Sequence, residues 1–256
     1  MMGHKATKVP AITLGFWIIK ILATTLGETG GDTLSMTYDL GYWLSTLVFF
    51  VPLVLLILAQ VRAVQFRPWL YWATIVASTT AGTTMADFAT RSLGIGYPGG
   101  TLVLGALVIG SLLVWKAVNG SVSVDTVVSA RTEAFYWLTI TFSQTLGTAL
   151  GDWAADDGGL GYLGGAALFG GLLLGLVALW AFTRANRVAL FWAAFVLTRP
   201  LGATVGDFLD KPLAQGGLDF SRPIATAVLV LGIVLLIAVL PQRAGRHPGG
   251  TAPATS

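Results

Sequence analysis

The chain has 256 residues, of which 55% are hydrophobic and only 11% charged. A soluble domain carries about 25% charged residues, so this composition excludes an ordinary soluble enzyme and points to a membrane protein. The formal net charge of +3 comes from dispersed Lys and Arg, which argues against a nucleic-acid surface, and no cysteine and only two histidines, His4 and His247 in the tails, are present. Thiolate or imidazole metal centres and Ser-His or Cys-His catalytic pairs are thereby excluded.

In chain order, apolar stretches occupy roughly 10–33, 41–61, 67–90, 99–118, 132–154, 160–182, 187–209 and 221–240. Each holds about twenty residues, enough to cross a hydrocarbon core of roughly 30 Å as a helix. The first stretch is too long for a cleavable signal peptide and contains Lys20, so it is expected to be a span of the mature protein. Lys5, Lys8, Arg62, Arg67, Lys116, Arg131, Arg184, Arg187, Arg243 and Arg246 fall at the tails and the even-to-odd connections. The positive-inside rule makes those segments cytoplasmic, both termini included. The opposite connections hold Asp32, Asp39, Asp87, Asp152, Asp156, Asp157, Asp207, Asp210 and Asp219, against Arg91, Lys211 and Arg222. Trp17, Trp43, Trp69, Trp72, Trp137 and Trp192 lie near span ends and are read as an interfacial belt.

The odd spans repeat one another. GFWIIKILATTLGETGGD (15–32), LYWATIVASTTAGTTMAD (70–87), FYWLTITFSQTLGTALGD (135–152) and LFWAAFVLTRPLGATVGD (190–207) align without a gap. Leu-Gly-Tyr follows at 40–42 and 160–162 and Ile-Gly-Tyr at 95–97, whereas the fourth unit has Leu218-Asp219-Phe220, displaced by three residues. Each unit contributes two spans, so successive units enter the membrane in the same orientation. The expected fold is all-α: eight transmembrane helices as four parallel-repeated hairpins in a 4+4, pseudo-twofold arrangement. Hairpins 1 and 2 fill 1–118, a cytoplasmic linker spans 119–130, hairpins 3 and 4 fill 131–241, and 242–256 is a disordered tail.

Gly27/Gly31, Gly82/Ala86, Gly147/Gly151 and Gly202/Gly206 are small-xxx-small pairs, which let helix backbones approach closely in lipid. The odd helices are therefore expected to cluster centrally, with the even helices outside. Counting back eight, seven, four, one and zero residues from each Asp defines one helix face, a polar column that includes Thr24, Thr25, Glu28 and Asp32 in the first unit. An acid at a helix C-terminus is opposed by the macrodipole, so the recurring Asp is no cap. Lys20 lies deep in the first span, where it either snorkels inward or joins a buried centre; Arg199 is too central to snorkel, and Pro200 beside it is expected to kink its helix.

These motifs, FWxxKxLxTTxGETxGD and its three divergent copies, resemble a family of bacterial multi-pass "membrane-anchored" proteins built from a tandem repeat of unknown function. The resemblance covers roughly residues 8–240 and implies an inner-membrane helical protein without an assigned activity. The residues themselves suggest a transporter or channel for a hard cation: a proton, sodium, or a divalent ion such as magnesium or manganese. Asp32, Asp87, Asp152 and Asp207 are the candidate ion or metal ligands, Glu28 the titrating group, and Thr25, Thr80, Thr145 and Thr148 neutral oxygen donors. Lys20 and Arg199 would compensate charge or gate. The expected partners are the lipid bilayer, a small cation and a second copy of the chain, with no catalytic residues and no cofactor beyond such a cation. Two alternatives stand beside this: a proton-coupled transporter of a small organic solute, and a non-transporting membrane scaffold or sensor.

Overall fold

The structure, a computed structural model, describes residues 7–245. Among the described residues it contains eight long helices: α1 (Leu14–Asp32), α2 (Gly41–Arg62), α3 (Pro68–Asp87), α4 (Gly96–Asn119), α5 (Ala130–Asp152), α6 (Gly161–Phe182), α7 (Arg187–Asp210) and α8 (Arg222–Val239). Local signals set their starts. The Thr13 hydroxyl accepts from the Phe16 N–H at α1, Ser129 and Thr132 form a capping box at α5, and Asn186 accepts from the Val188 and Ala189 N–H groups at α7. Pro200, expected to kink its helix, lies inside an α7 that runs unbroken from Arg187 to Asp210.

The Asp of the first three repeats ends its α-helix, and a five-residue π-helical turn follows: Thr33–Thr37, Phe88–Ser92 and Trp153–Asp157. Left-handed residues then reverse the chain, at Asp39, Gly94 and Gly159 and again at Gly41, Gly96 and Gly161. The second set explains the recurring Gly-Tyr after Leu or Ile: its glycine has φ of 65–68° at the first residue of an even helix, where a Cβ would be strained. The fourth repeat replaces the π turn with a short 3₁₀ turn, Leu213–Gln215, and reverses at Gly216 and Asp219.

The odd helices form a closed ring in the order α1, α3, α5, α7. A Cβ on Gly27 would come within 2.9 Å of the Thr79 carbonyl carbon, one on Gly82 within 3.0 Å of Gln144 and Thr145 backbone atoms, and one on Gly202 within 2.7 Å of the Thr24 carbonyl carbon. Gly147 is covered in the same way by Arg199 and Pro200. Each repeat thus lays its glycine under the residue eight before the Asp of the next, and the fourth closes on the first. Four like head-to-tail junctions make a fourfold pseudo-symmetric ring, which corrects the expected 4+4 grouping: the α3–α5 junction, across the 119–130 linker, is of the same kind as α1–α3.

The even helices form the outer layer, but each packs chiefly on the odd helix of a neighbouring repeat: α2 on α3, α4 on α5, α6 on α7 and α8 on α1. The two helices of one repeat are therefore continuous in sequence without being the packed hairpin expected. The outward faces of α2, α4, α6 and α8 expose Leu55, Leu102, Leu174 and Leu231, each at least 59% accessible. Five helices, α2, α4, α6, α7 and α8, are long and apolar enough to cross a membrane. In α1, α3 and α5 a row of buried polar side chains interrupts the apolar run.

On the side of the odd-helix N-termini, the Thr7 hydroxyl donates to the Val124 carbonyl at 3.0 Å and Lys8 pairs with Glu133 at 2.7 Å. Pro10 forms an isolated antiparallel bridge with Ala244, and the Trp72 indole donates to Gln242 at 3.0 Å. The tail expected to be disordered from 242 is thus fastened as far as Gly245; residues 246–256 lie outside the described part. The tryptophans divide. Trp43 and Trp69 are exposed, whereas Trp72, Trp137 and Trp192 are buried in a cluster with Trp115, Phe16 and Tyr136. This corrects the reading of all of them as an interfacial belt: the aromatic pair of each repeat also fills the inner end of the ring.

The interfaces make a direct prediction. Gly202→Ala forces a methyl into Thr24 and is expected to destabilise the protein by about 1–3 kcal/mol. Gly110→Ala, which meets nothing within 4 Å, is expected to be neutral or to stabilise by up to about 1 kcal/mol through helix propensity. Thermal unfolding of the purified variants in detergent checks the contrast.

Candidate functional site

Every fourth residue of each odd helix, counted from its Asp, lines the axis of the ring. Six layers follow from the inner to the outer end: Phe16, Tyr71, Tyr136 and Phe191; Lys20, Ile75, Ile140 and Phe195; Thr24, Thr79, Gln144 and Arg199; Glu28, Thr83, Thr148 and Ala203; the four Asp; and Met36, Arg91, Asp156 and Lys211. All side chains of the four middle layers are at most 4% exposed. At the innermost layer the Tyr71 and Tyr136 hydroxyls are 2.5 Å apart, and Trp72 and Trp137 pack around them. Below the outer cleft the column is closed to solvent, and aromatic rings end it.

Arg199 stands at its centre. Its guanidinium, fully buried, donates twice to Glu28 Oε2 at 3.0 Å, to the Thr83 hydroxyl at 2.6 Å and to the Thr148 hydroxyl. One side chain from α7 therefore touches α1, α3 and α5. Lys20, one layer further in, does not snorkel: it is fully buried, donates to Gln144 Oε1 at 3.3 Å and lies over the Phe195 ring at 4.2 Å.

The Asp layer is organised in two pairs. Arg91 bridges Asp87 at 3.0 Å and Asp152 at 3.2 Å, while Lys211 bridges Asp32 at 2.7 Å and Asp207 at 3.0 Å. Arg222 extends the second pair, 3.4 Å from Asp210 and 3.9 Å from Asp32. Burial alone would lower the pKa of Lys211, which follows the last residue of α7, but Asp207, Asp32 and Asp210 outweigh it and hold the ammonium protonated. Arg91, Lys211 and Arg222 served in the sequence only as topology markers. For Arg91 and Lys211 the signal was a basic residue four after the Asp in repeats two and four, one helical turn away and so on the same face; Arg222 has no such spacing.

Of the carboxylates, Glu28, Asp32 and Asp207 present oxygens that all lie within 4.8 Å of one another, and Asp32 Oδ1 is buried with no hydrogen-bond partner. Asp87 and Asp152 stand apart from this trio, on Arg91. The sequence-derived hydroxyls also divide. Thr148 reaches Arg199, but the Thr25, Thr80 and Thr145 hydroxyls donate to Ile21, Val76 and Thr141 carbonyls of their own helices. Seven residues before the Asp the hydroxyl turns back on its own helix, whereas the positions four and eight before it supply Glu28, Thr148 and Arg199, which meet across the ring. Above the trio a cleft of about 620 Å³ opens outward, lined by Met36, Arg91, Asp156, Tyr162, Lys211 and Arg222 among others.

A family model described as a repeat of unknown function, DUF347, matches four times, at residues 15–66, 70–121, 135–186 and 190–243. The chain belongs to the DUF347 family. Each match starts seventeen residues before its Asp, so the DUF347 unit and the structural repeat share one frame. No curated protein and no solved structure matches the chain. The family gives the repeat, and the chemistry rests on the column.

Breaking a buried ion pair from one side costs about 3–5 kcal/mol because a charge is left uncompensated. Glu28→Gln and Arg199→Gln are each expected to lower stability on that scale, and the double variant to lose clearly less than the sum. Asp39→Asn, in an exposed turn, is expected to change stability by less than about 0.5 kcal/mol. Additive single effects in unfolding experiments would refute the coupling.

Proposed function

We propose that this DUF347 protein is a carrier for a hard cation, which binds at Glu28, Asp32 and Asp207 from the outer cleft. The observation that carries the reading is the buried carboxylate trio with its unpartnered Asp32 oxygen. Oxygen-only ligands suit a proton, sodium, magnesium or manganese. An ion arriving there meets Lys211, so occupancy requires the ammonium to swing away from Asp32 and Asp207. Cation and lysine then exchange for the same charges, which keeps the buried site near neutrality in both states.

A carrier is favoured over a channel. Below the trio the axis is crossed by the fixed guanidinium of Arg199 and then by Lys20, and a fixed positive charge in a narrow path opposes cation passage. Inward release requires the ring to rearrange around Arg199 and the aromatic floor to part. The same reading makes all eight helices membrane spans in a bacterial inner membrane, with the floor and both termini cytoplasmic and the cleft outside. A second reading, a proton-coupled carrier of a small organic solute, would use the outward cleft, but its lining by Arg91, Asp156, Asp207, Lys211 and Arg222 is charged where such a solute needs a mostly apolar pocket.

Purified protein in proteoliposomes, assayed with pH-sensitive and metal-sensitive dyes under imposed proton, sodium, magnesium and manganese gradients, tests both readings. Cation movement is expected for the unmodified protein, with a loss of about tenfold or more in Glu28→Gln and Asp32→Asn; tenfold in rate is about 1.4 kcal/mol. Asp39→Asn is expected to retain it. Absence of any cation flux or cation-dependent stabilisation would sink the proposal. Labelling from outside intact cells of a cysteine placed at Ser123 in this cysteine-free chain would overturn the orientation.

A further inference from the structure

The inner half of the column has the opposite chemistry from the Asp layer: its unused groups are donors. Lys20 has no carboxylate partner among the described residues, and the only hydrogen bond of its ammonium goes to Gln144 Oε1 at 3.3 Å. Arg199 Nε and Gln144 Nε2 are buried without any partner, as is the Thr79 hydroxyl. Lys20, Thr79, Gln144 and Arg199 are all fully buried and lie in two adjacent axial layers. Glu28 supplies one carboxylate against two cations, and both Arg199 terminal nitrogens already use it.

Unpartnered buried donors are among the costliest groups to leave unsatisfied, and an uncompensated charge at this depth costs more. Water satisfies donors without supplying charge. A small anion does both. Ile75, Ile140 and Phe195, all fully buried, complete the layer of Lys20 with apolar surface, so a polyatomic oxyanion would find no further donors there and would have to force the layers apart.

We propose that the inner half of the column binds a monatomic halide, chloride in the cell, held by the Lys20 ammonium, the Gln144 amide and Arg199 Nε. The site lies on the far side of the Arg199–Glu28 pair from the carboxylate trio and does not depend on the cation reading. The anion and Glu28 share one guanidinium, so chloride occupancy loosens the hold of Arg199 on Glu28.

The test is thermal unfolding of the full chain in detergent, with chloride exchanged for gluconate at constant ionic strength and pH. Chloride is expected to raise the Tm by about 5 °C, the scale of a saturating ligand on a protein of this size, and bromide to do the same. Gln144→Glu places a carboxylate within reach of Lys20 and is expected to fold and to lose the chloride effect. Lys20→Met is expected to lose it too, and Asp87→Asn, in the Asp layer, to keep it. In bromide-soaked crystals an anomalous peak beside Lys20 Nζ is expected. A chloride-insensitive Tm in the unmodified protein, or a chloride effect that survives Gln144→Glu, would overturn the site and leave a hydrated or neutral amine in its place.

Discussion

A guanidinium buried at the centre of a helix ring constrains everything around it. Arg199 is reached by no solvent, so each neighbouring helix must present it with an acceptor or with room. Glu28 from α1 supplies charge, Thr83 and Thr148 from α3 and α5 supply hydroxyl oxygens, and Gly147 supplies space for its first two methylenes. A glycine in a helix interior costs about 1 kcal/mol against alanine, yet at this junction any side chain would collide with Arg199. The small residues and the buried charge are parts of one solution: close backbones make the ring, and the ring makes a cavity narrow enough for one side chain to cross it.

The four repeats supply a common scaffold, and their differences supply the chemistry. Fourfold similarity governs what the backbone needs, namely the glycines at the junctions, the aromatic floor and the Asp at the end of each helix. Charge follows a different rule. Four residues after the Asp stand Met36, Arg91, Asp156 and Lys211, so only the second and fourth units carry a cation, and each serves its own Asp and that of a neighbour. The Asp layer is twofold within a fourfold ring. Deeper in, symmetry is lost, since Lys20, Glu28 and Arg199 each occur once. A path with one chain of unlike charges has direction, which a fully symmetric pore would lack.

Much of this was legible from residue order. Helix boundaries fell within a few residues because the apolar runs and the breaks between them mark the helix ends directly. The inner position of the odd helices followed from the small-xxx-small pairs, and the meeting of Glu28 with Arg199 followed from their places four and eight before equivalent Asp residues. What was not legible depended on rotation and neighbour choice. A face drawn with five positions per repeat cannot tell the axis from the helix contact, so Thr25, Thr80 and Thr145 were grouped with Thr148 although they bond within their own helices. The packing of each even helix on the next repeat is equally invisible, because a hairpin and an interleaved ring have the same connectivity. The tryptophans misled for a related reason: an aromatic near a span end suits the lipid interface and the closed end of a column alike, and only the ring distinguishes Trp72 from Trp69.

Charge order along the axis sets what any transport cycle here must do. From the outer cleft inward come the cations of Arg91 and Lys211, the four Asp, Glu28, the guanidinium of Arg199 and the ammonium of Lys20. The outer cations face the block of Asp and Glu28 carboxylates, and that block faces Arg199; beyond it Arg199 and Lys20 are alike and the next layer is aromatic. The outer layers can therefore trade one cation for another with little change in energy, whereas any charge moving past Arg199 must bring or displace a partner. In the proposed carrier, movement at the outer end would therefore be cheap and movement at the inner end costly, and a step that parted the aromatic floor would have to re-form the Arg199–Glu28 pair on new neighbours.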